Sequence, residues 1–276
     1  MTPTSLLGRA GLLACALLAG ACAHTDDAPQ MRGGARIERA DKEFDIPTGV
    51  TRIAIDNPWG EINVRSRDER EVGIHAVIQR LPPQFPEVEF RSKREGETLR
   101  IEVVVAGADV KTEGAAAPAR ADIAVYVPTD LALALATRGG RIAATRRAGA
   151  IEATTTSGEI HASSLGRLQL HSQSGQIRAI AIGKSWQGAS ELDTDSGRIV
   201  LLVPTFGDIA LEARTGGKLS TGFGLSVHPL PDGVNEAHAG YGAGTSLLRA
   251  HSTNGEIVLE QLVLLGDDKN LPEDDD

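Results

Sequence analysis

The chain has 276 residues, a hydrophobic content of 41% and a formal net charge of −9, and this length allows one large β domain or two small ones. The acidic balance argues against nucleic acid as a partner, because phosphate binding needs a basic surface, and it gives no attraction to anionic lipid. Aromatic residues make up only 3%, so the core must be built from Ile, Leu, Val and Ala.

Residues 1–21 have the features of a lipoprotein signal peptide. Arg9 supplies a positive charge, and the apolar segment AGLLACALLAGA ends in small residues directly before Cys22. This segment is too short to span a bilayer as a stable helix. The stretch LLAGAC resembles the bacterial lipobox, in which the Cys thiol receives a diacylglycerol and the leader is cut just before it. An ordinary signal peptide with a chance Cys is the alternative.

Cysteine usage supports lipidation of Cys22. Cys15 and Cys22 are the two cysteines of the chain, so the exported body has no disulfide although its compartment would permit one. The acyl chains would bury methylenes worth about 0.8 kcal/mol each and anchor the protein in the cell envelope. Ala23, where Asp would favour the inner membrane, favours the outer membrane, with the periplasmic or surface face left open. Residues 22–40 are predicted to form a flexible tether.

Residues 41–265 are predicted to form one β domain, with N-terminal strands in 41–105 and a repeat region in 120–265. Alternation of apolar and polar residues predicts strands, and no amphipathic helix is evident after Cys22. The predicted strands are TRIAIDN, GEINVRSR, EVGIHAVIQRL, a hairpin in EVEFRSKREGETLRIEVVV, RADIAVYVP and DLALALAT. The Gly- and Ala-rich segment 107–119 is predicted to be a loop, and the acidic tail 266–276 to be disordered.

A short phrase, Gly followed two residues later by Ile or Leu, recurs through the repeat region. It occurs at Gly60, Gly140, Gly149, Gly158, Gly166, Gly175, Gly197, Gly207, Gly217 and Gly255. The common step of about nine residues fits one short strand plus a tight turn. Two steps make a coil of about eighteen residues, which predicts an all-β, elongated β-solenoid-like stack, a two-sheet β-roll. Longer steps carry insertions at 183–190 and 225–245.

The recurring glycines are predicted to be corners of this stack. The structural turn glycines are Gly60, Gly140, Gly158, Gly175, Gly197, Gly217 and Gly255. Glycine accepts positive φ at a corner, and the Ser or Asn before it can bond the turn's own backbone. The residue after Gly points outward and the following Ile or Leu inward, so one stacked Ile→Ala change should cost about 2–5 kcal/mol. The N-terminal strands and the final segment 246–265 are expected to cover the two ends of the stack.

The ordered series of these motifs resembles the bacterial putative-adhesin family, also called the toastrack domain. The family pattern is matched by a V-x-V-P strand at Val125–Pro128, an alternating strand at Leu131–Leu135, serial S/T-x-S-G-x-I motifs, and an N-G-x-I strand at Asn254–Ile257. Trp59 stands where the family more usually has a small polar residue. The resemblance covers roughly residues 44–261. It implies an all-β stack of strands and no reaction, because the family has no agreed catalytic residues.

Histidines, and an aspartate-rich turn, are the candidates for metal chemistry. His171 and His251 each lie four residues before a repeat Gly, so they share a phase and could line one face. A metal site needs two or three converging ligands, and solvated outward histidines are the simpler interpretation. The segment DTDSG (193–197) lacks the third oxygen ligand and the late Glu of a calcium loop. No metal or other cofactor is predicted.

Other residue types give little sign of catalysis or of sugar binding. Ser157, Ser174 and Ser196 repeat at equivalent turns, whereas a nucleophile needs one unique environment, so no enzyme is predicted. Aromatic residues are too few to predict a sugar platform. Trp186, in an insertion, is a candidate for ligand contact, and packing in the core or loop is the alternative.

The sequence therefore predicts a non-catalytic, lipid-anchored cell-envelope protein that offers a rigid β-repeat surface for adhesion, interaction or envelope sensing. The expected partners are the membrane, through the N-terminal lipid, and an envelope protein or glycan of unknown identity. A polysaccharide- or peptidoglycan-binding module is the alternative function, and an envelope enzyme is the less favoured one.

Overall fold

The computed structural model describes residues 30–108 and 117–263, and the regular structure in these residues is β throughout. Its strands are β1 (Gln30–Arg32), β2 (Ala35–Asp45), β3 (Arg52–Asp56), β4 (Ile62–Ser66), β5 (Glu71–Arg80), β6 (Val88–Glu95), β7 (Thr98–Val105), β8 (Ala119–Val127), β9 (Ala132–Thr137), β10 (Ile142–Arg147), β11 (Ile151–Thr155), β12 (Ile160–Ser164), β13 (Leu168–Ser172), β14 (Ile177–Ala181), β15 (Ala189–Thr194), β16 (Ile199–Pro204), β17 (Ile209–Thr215), β18 (Leu219–Thr221), β19 (His228–Pro229), β20 (Asn235–Tyr241), β21 (Ser246–Ser252) and β22 (Ile257–Leu262).

The strands form two eleven-stranded sheets. Sheet A has the order β1-β2-β5-β8-β4-β10-β12-β14-β16-β22-β18, and sheet B the order β19-β20-β17-β21-β15-β13-β11-β9-β3-β7-β6. In the repeat region each coil gives one strand to each sheet, and neighbouring coils pair in parallel, as β10 does with β12 and β11 with β13. The predicted all-β, two-sheet stack is therefore confirmed.

The core consists of ladders of apolar side chains, one from each coil. In sheet A one ladder is made by Ile142, Ile160, Ile177, Ile199 and Ile257, which are in register and fully buried. Each isoleucine packs between its equivalents in the two neighbouring coils, because successive strands lie only about 4.8 Å apart. The strand alternation that predicted these inward positions thus matches the structure.

The seven predicted turn glycines lie one above another at one corner of the stack, and we call this set the glycine column. Its order is Gly60, Gly140, Gly158, Gly175, Gly197, Gly255 and Gly217. A Cβ at Gly140 would lie 1.7 Å from the carbonyl oxygen of Gly60, and a Cβ at Gly158 would lie 1.9 Å from that of Gly140. Positive φ was the predicted reason for glycine, but only Gly60 of the seven has it. The main reason is instead that successive coils approach too closely for a side chain.

A buried hydroxyl supports six of the seven corners from inside. The amide of Gly158 donates to Oγ1 of Thr155 at 3.0 Å, and the amide of Gly175 donates to Oγ of Ser172 at 2.8 Å. The same bond recurs at the corners of Gly140, Gly197, Gly217 and Gly255. The amide is therefore satisfied by the Ser or Thr two or three residues before the glycine, and not by the residue directly before it.

The C-terminal repeat does not cover an end of the stack, which corrects the expectation for residues 246–265. Strand β21 lies between β15 and β17, and β22 lies between β16 and β18. The coil formed by β17 and β18 precedes them in sequence but lies beyond them in the stack. Insertion 225–245 contributes β19 and β20, and β20 pairs antiparallel with β17 at that end.

The N-terminal end is closed by antiparallel strands. Strand β2 pairs with β5 over ten residue pairs, and β1 pairs with β2, so the predicted tether of residues 22–40 is ordered from Gln30 onward. The edge strand β6 carries Arg91, Lys93 and Arg94, charges that discourage pairing with another chain. Residues 1–29, most of the predicted loop (109–116) and the predicted acidic tail (266–276) lie outside the described residues.

Candidate functional site

The outer face of sheet B carries two rows of polar side chains in register across five strands. The first, the arginine row, consists of Glu152, Gln169, Glu191, Arg249 and Glu212. Arg249 lies between two carboxylates: its Nε is 2.9 Å from Oε2 of Glu212, and its Nη1 is 3.5 Å from Oε1 of Glu191. The hydrogen bond to Glu212, followed by the other carboxylate contacts, raises the pKa of Arg249.

The second row, the histidine row, runs beside the first. It consists of Thr154, His171, Asp193, His251 and Arg214. Nδ1 of His171 is 3.0 Å from Oδ2 of Asp193, and Nδ1 of His251 is 2.7 Å from Oδ1 of the same carboxylate. The two histidines do lie on one face, as their shared phase indicated, and a carboxylate pairs with both.

The sequence did not identify Asp193 as the partner of these histidines. His171 is 22 residues before it and His251 is 58 residues after it. The three meet because β13, β15 and β21 are neighbours in sheet B, and the position of β21 was not predictable from a local pattern. Both histidines and Asp193 line an open depression of about 490 Å³, together with Glu152, Glu191 and Arg249.

A second depression, of about 290 Å³, lies further along the same face. Its floor includes the small side chains of Ala54, Ala134 and Ala136, and Arg52 closes one side by binding Glu152 at 2.5 Å. Asp56 also lines it, and burial followed by repulsion from the neighbouring carboxylate Glu102 raises the pKa of Asp56. The face therefore offers preformed polar recesses on a rigid sheet.

On sheet A, the coil of Arg249 and its two neighbours carry the opposite arrangement of charges, a carboxylate between two cations. Glu256 lies between Arg198, at 3.2 Å, and Lys218, at 3.5 Å. His161 is also on this sheet, where burial, followed by the nearby guanidinium groups of Arg141 and Arg178, lowers its pKa. In the same coil, therefore, the central charge is positive on sheet B, at Arg249, and negative on sheet A, at Glu256.

The remaining candidates from the sequence are placed as follows. Trp186 packs against the core, and its indole Nε1–H donates to the carbonyl of Leu247 at 3.3 Å, so it acts in packing here. Cys22 lies outside the described residues. Within residues 30–108 and 117–263, no three or more His, Cys, Asp or Glu side chains form an assembled metal site, and no helix is long and apolar enough to cross a bilayer.

No family model and no curated protein matches the chain. Among solved structures, a putative cell adhesion protein from Clostridium sporogenes aligns with a TM-score of 0.46 and 13% identity, over 82% of this chain and 100% of that chain. Putative adhesins from Bacteroides fragilis and Parabacteroides distasonis align with TM-scores of 0.29 and 0.21 and identities of 11% and 6%, over 82% of this chain and 97% of theirs. Because every TM-score is below 0.5, the similarity extends to no ligand or activity.

Proposed function

We propose that this protein is a non-catalytic, lipid-anchored protein of the bacterial cell envelope that binds a partner through the outer face of sheet B. The observation that carries the proposal is the pair of polar rows, the arginine row and the histidine row, held in register on a parallel sheet. The charged side chains at the centre of these rows are held by cross-strand contacts, so a partner meets a surface that is already ordered. Binding to an ordered surface loses less conformational entropy.

The size of the surface supports this function. Eight parallel strands of sheet B, at about 4.8 Å spacing, extend about 34 Å, and five residues of each strand add about 17 Å. The product, about 580 Å², is of the same order as the roughly 800 Å² that each partner buries in a stable protein–protein interface. A partner of ordinary size can therefore use most of this face.

The binding face can be tested by charge reversal with a matched control. Vesicles carrying the lipidated full-length chain are mixed with isolated cell envelopes, and binding is measured by sedimentation. Arg249→Glu should weaken binding at least about tenfold, because it places three carboxylates side by side in the arginine row. Glu256→Arg, the equivalent reversal on sheet A, should leave binding unchanged.

Two results would contradict the proposal: wild-type vesicles that bind no better than bare vesicles, or equal losses in the two variants. Binding that persists on protein-free peptidoglycan and is lost with Arg249→Glu would assign the same face to the glycan alternative.

The anchor is tested separately. We propose that Cys22 carries the lipid and that the protein resides at the outer membrane. The Cys22→Ala change should move the protein from the membrane fraction to the soluble fraction and abolish incorporation of labelled palmitate. Unchanged membrane association would contradict the anchor and leave the binding face unaffected.

A further inference from the structure

The second depression on the outer face of sheet B, of about 290 Å³, is bounded by charged groups of both signs, and we call it the β3 recess. Its floor is formed by small side chains, Ala54 on β3 and Ala134 and Ala136 on β9, with Ala54 and Ala134 in register. The neighbouring positions carry longer side chains, Arg100 on β7 and Glu152 on β11. Because an alanine side chain ends at Cβ, the surface is lowest between those two strands.

Two carboxylates at one end of the β3 recess lack a paired cation. Asp56 lines the recess and is in register with Glu102 on the adjacent strand β7. In the part of the chain that the structure describes, no Lys, Arg or His forms an ion pair with either carboxylate. Like charges opposite each other on neighbouring strands are destabilising, and attraction to Arg100 and Arg138 offsets the burial and repulsion of Asp56 only in part. This end of the recess therefore favours a cationic group.

Two guanidinium groups that line the recess are oriented by other carboxylates. Nε of Arg100 is 3.0 Å from Oε2 of Glu95, and Nη2 of Arg52 is 2.5 Å from Oε2 of Glu152. A guanidinium carries five N–H donors, so each arginine keeps donors for a further acceptor. The ion pairs hold both groups in position before any ligand arrives, which lowers the entropy lost on binding.

We propose that the β3 recess binds a small zwitterion, an α-amino acid with a short side chain. Its ammonium group binds Asp56, its carboxylate accepts N–H groups of Arg100 and Arg52, and its side chain lies on the alanine floor. Hydrogen bonds between charged groups are the strong ones. The volume is at the lower end of the ~300–1,000 Å³ of small-molecule sites, which favours a ligand of this size. The inference does not depend on the proposed partner-binding function.

A ligand with only one of the two charges fits less well. An amine without a carboxylate meets the guanidinium groups of Arg52 and Arg100, and a carboxylate without an amine meets Asp56 and Glu102. Free alanine, ethylamine and propionate share the same carbon skeleton and differ in these two groups. Comparing the three therefore separates recognition of a zwitterion from attraction of a single charge.

The test is a calorimetric titration of the full-length protein, purified in detergent, with L-alanine and with D-alanine. At least one isomer should bind once per chain, and ethylamine and propionate should each bind at least about tenfold more weakly than that isomer. Asp56→Asn and Arg100→Gln should each weaken binding of the amino acid at least about tenfold. Because Asp56→Asn removes the repulsion from Glu102, this variant should remain folded in thermal unfolding.

Two further variants separate the recess from its surroundings. Ala134→Leu fills the recess without changing a charge and should abolish binding. Asp122→Asn is the matched control, because Asp122 is an outward carboxylate on sheet A that pairs with Nε of Arg120 at 2.8 Å. This variant should bind the amino acid as the wild type does.

Methyl NMR of the protein with labelled alanine residues provides a readout that does not depend on mutation. Unlabelled free alanine should shift the methyl signals of Ala54, Ala134 and Ala136, and not that of Ala124 in a depression of sheet A. The inference is overturned if neither isomer binds, if ethylamine or propionate binds as tightly as the amino acid, if Asp56→Asn or Ala134→Leu binds as the wild type does, or if Asp122→Asn causes the same loss.

Discussion

The glycine column makes a strong prediction about stability, for which Gly140 is the best position. An alanine there would place its Cβ 1.7 Å from the carbonyl oxygen of Gly60 and 2.3 Å from the carbonyl carbon. Real Cβ atoms essentially never approach a neighbour within 3.0 Å, so the two coils must separate by more than 1 Å at this corner. Both contacts are with backbone, which cannot rotate away as a side chain can.

The separation weakens three hydrogen bonds at this corner. The amide of Ile62 donates to Arg141 O at 2.8 Å, the amide of Arg138 donates to Pro58 O at 3.2 Å, and Thr137 Oγ1 donates to Gly60 O at 3.1 Å. At about 1 kcal/mol each, their loss lowers the free energy of unfolding by about 3 kcal/mol, before any strain is added. For a domain of this size, that is a fall in Tm of about 6–12 °C.

The adjacent glycine is the control. A Cβ at Gly139 would have Ser157 Oγ as its nearest neighbour, at 3.6 Å, which is an ordinary contact. Gly139→Ala should therefore change the free energy of unfolding by less than about 1 kcal/mol, and in the stabilising direction, because alanine restricts the unfolded chain. Urea denaturation followed by tryptophan fluorescence measures both variants. Equal midpoints for Gly139→Ala and Gly140→Ala would refute the argument from close approach.

Three further measurements examine other parts of the fold. Ser172→Ala removes the acceptor of a buried corner amide and should cost about 1–3 kcal/mol in urea denaturation, whereas Ser174→Ala, at an exposed hydroxyl, should cost less than about 0.5 kcal/mol. The pKa of His161 is lowered from 6.5 in the folded protein, so as the pH falls the imidazole is protonated in the unfolded chain before it is protonated in the folded one, and the folded state loses stability. His161→Gln should therefore lose less stability than the wild type between pH 7.5 and pH 5. An equal loss would contradict the lowered pKa of His161. Hydrogen exchange should be slower in residues 246–262 than in residues 209–241, because the former lie inside the stack.

The sequence predicted the repeat well because its signals are local. The spacing of two residues from Gly to Ile fixes which side chain points inward, and Ile160, Ile177 and Ile199 are buried as this spacing requires. The reason for glycine was not predicted, because the contact that excludes a Cβ comes from the neighbouring coil, about eighteen residues away. Strand β2 was missed because ARIERADKEFD is dominated by charged residues and shows only a weak apolar alternation.

The candidate site was predictable only in part, for the same reason. A common phase puts His171 and His251 on one face, but it does not say how many strands separate them. The strand between them, and therefore the role of Asp193, depends on the place of the C-terminal repeat in the stack. That repeat carries the same Gly-x-Ile motif as the others, so its sequence fits several positions in the order of coils equally well.

The C-terminal coil, formed by β21 and β22, connects the stability of the stack with its candidate site. Strands β17 and β18 pair in parallel with β21 and β22, so the coil that precedes the last repeat in sequence lies against it in space. The position of the last repeat between this coil and the coil of β15 and β16 places His251 beside Asp193 and places Arg249 between Glu191 and Glu212. A stack built in chain order would put β17 next to β15, and would leave Asp193 with one histidine neighbour and Glu191 without its arginine. The polar rows of sheet B are therefore a consequence of this topology, and neither row can form until the C-terminal repeat has entered the sheet.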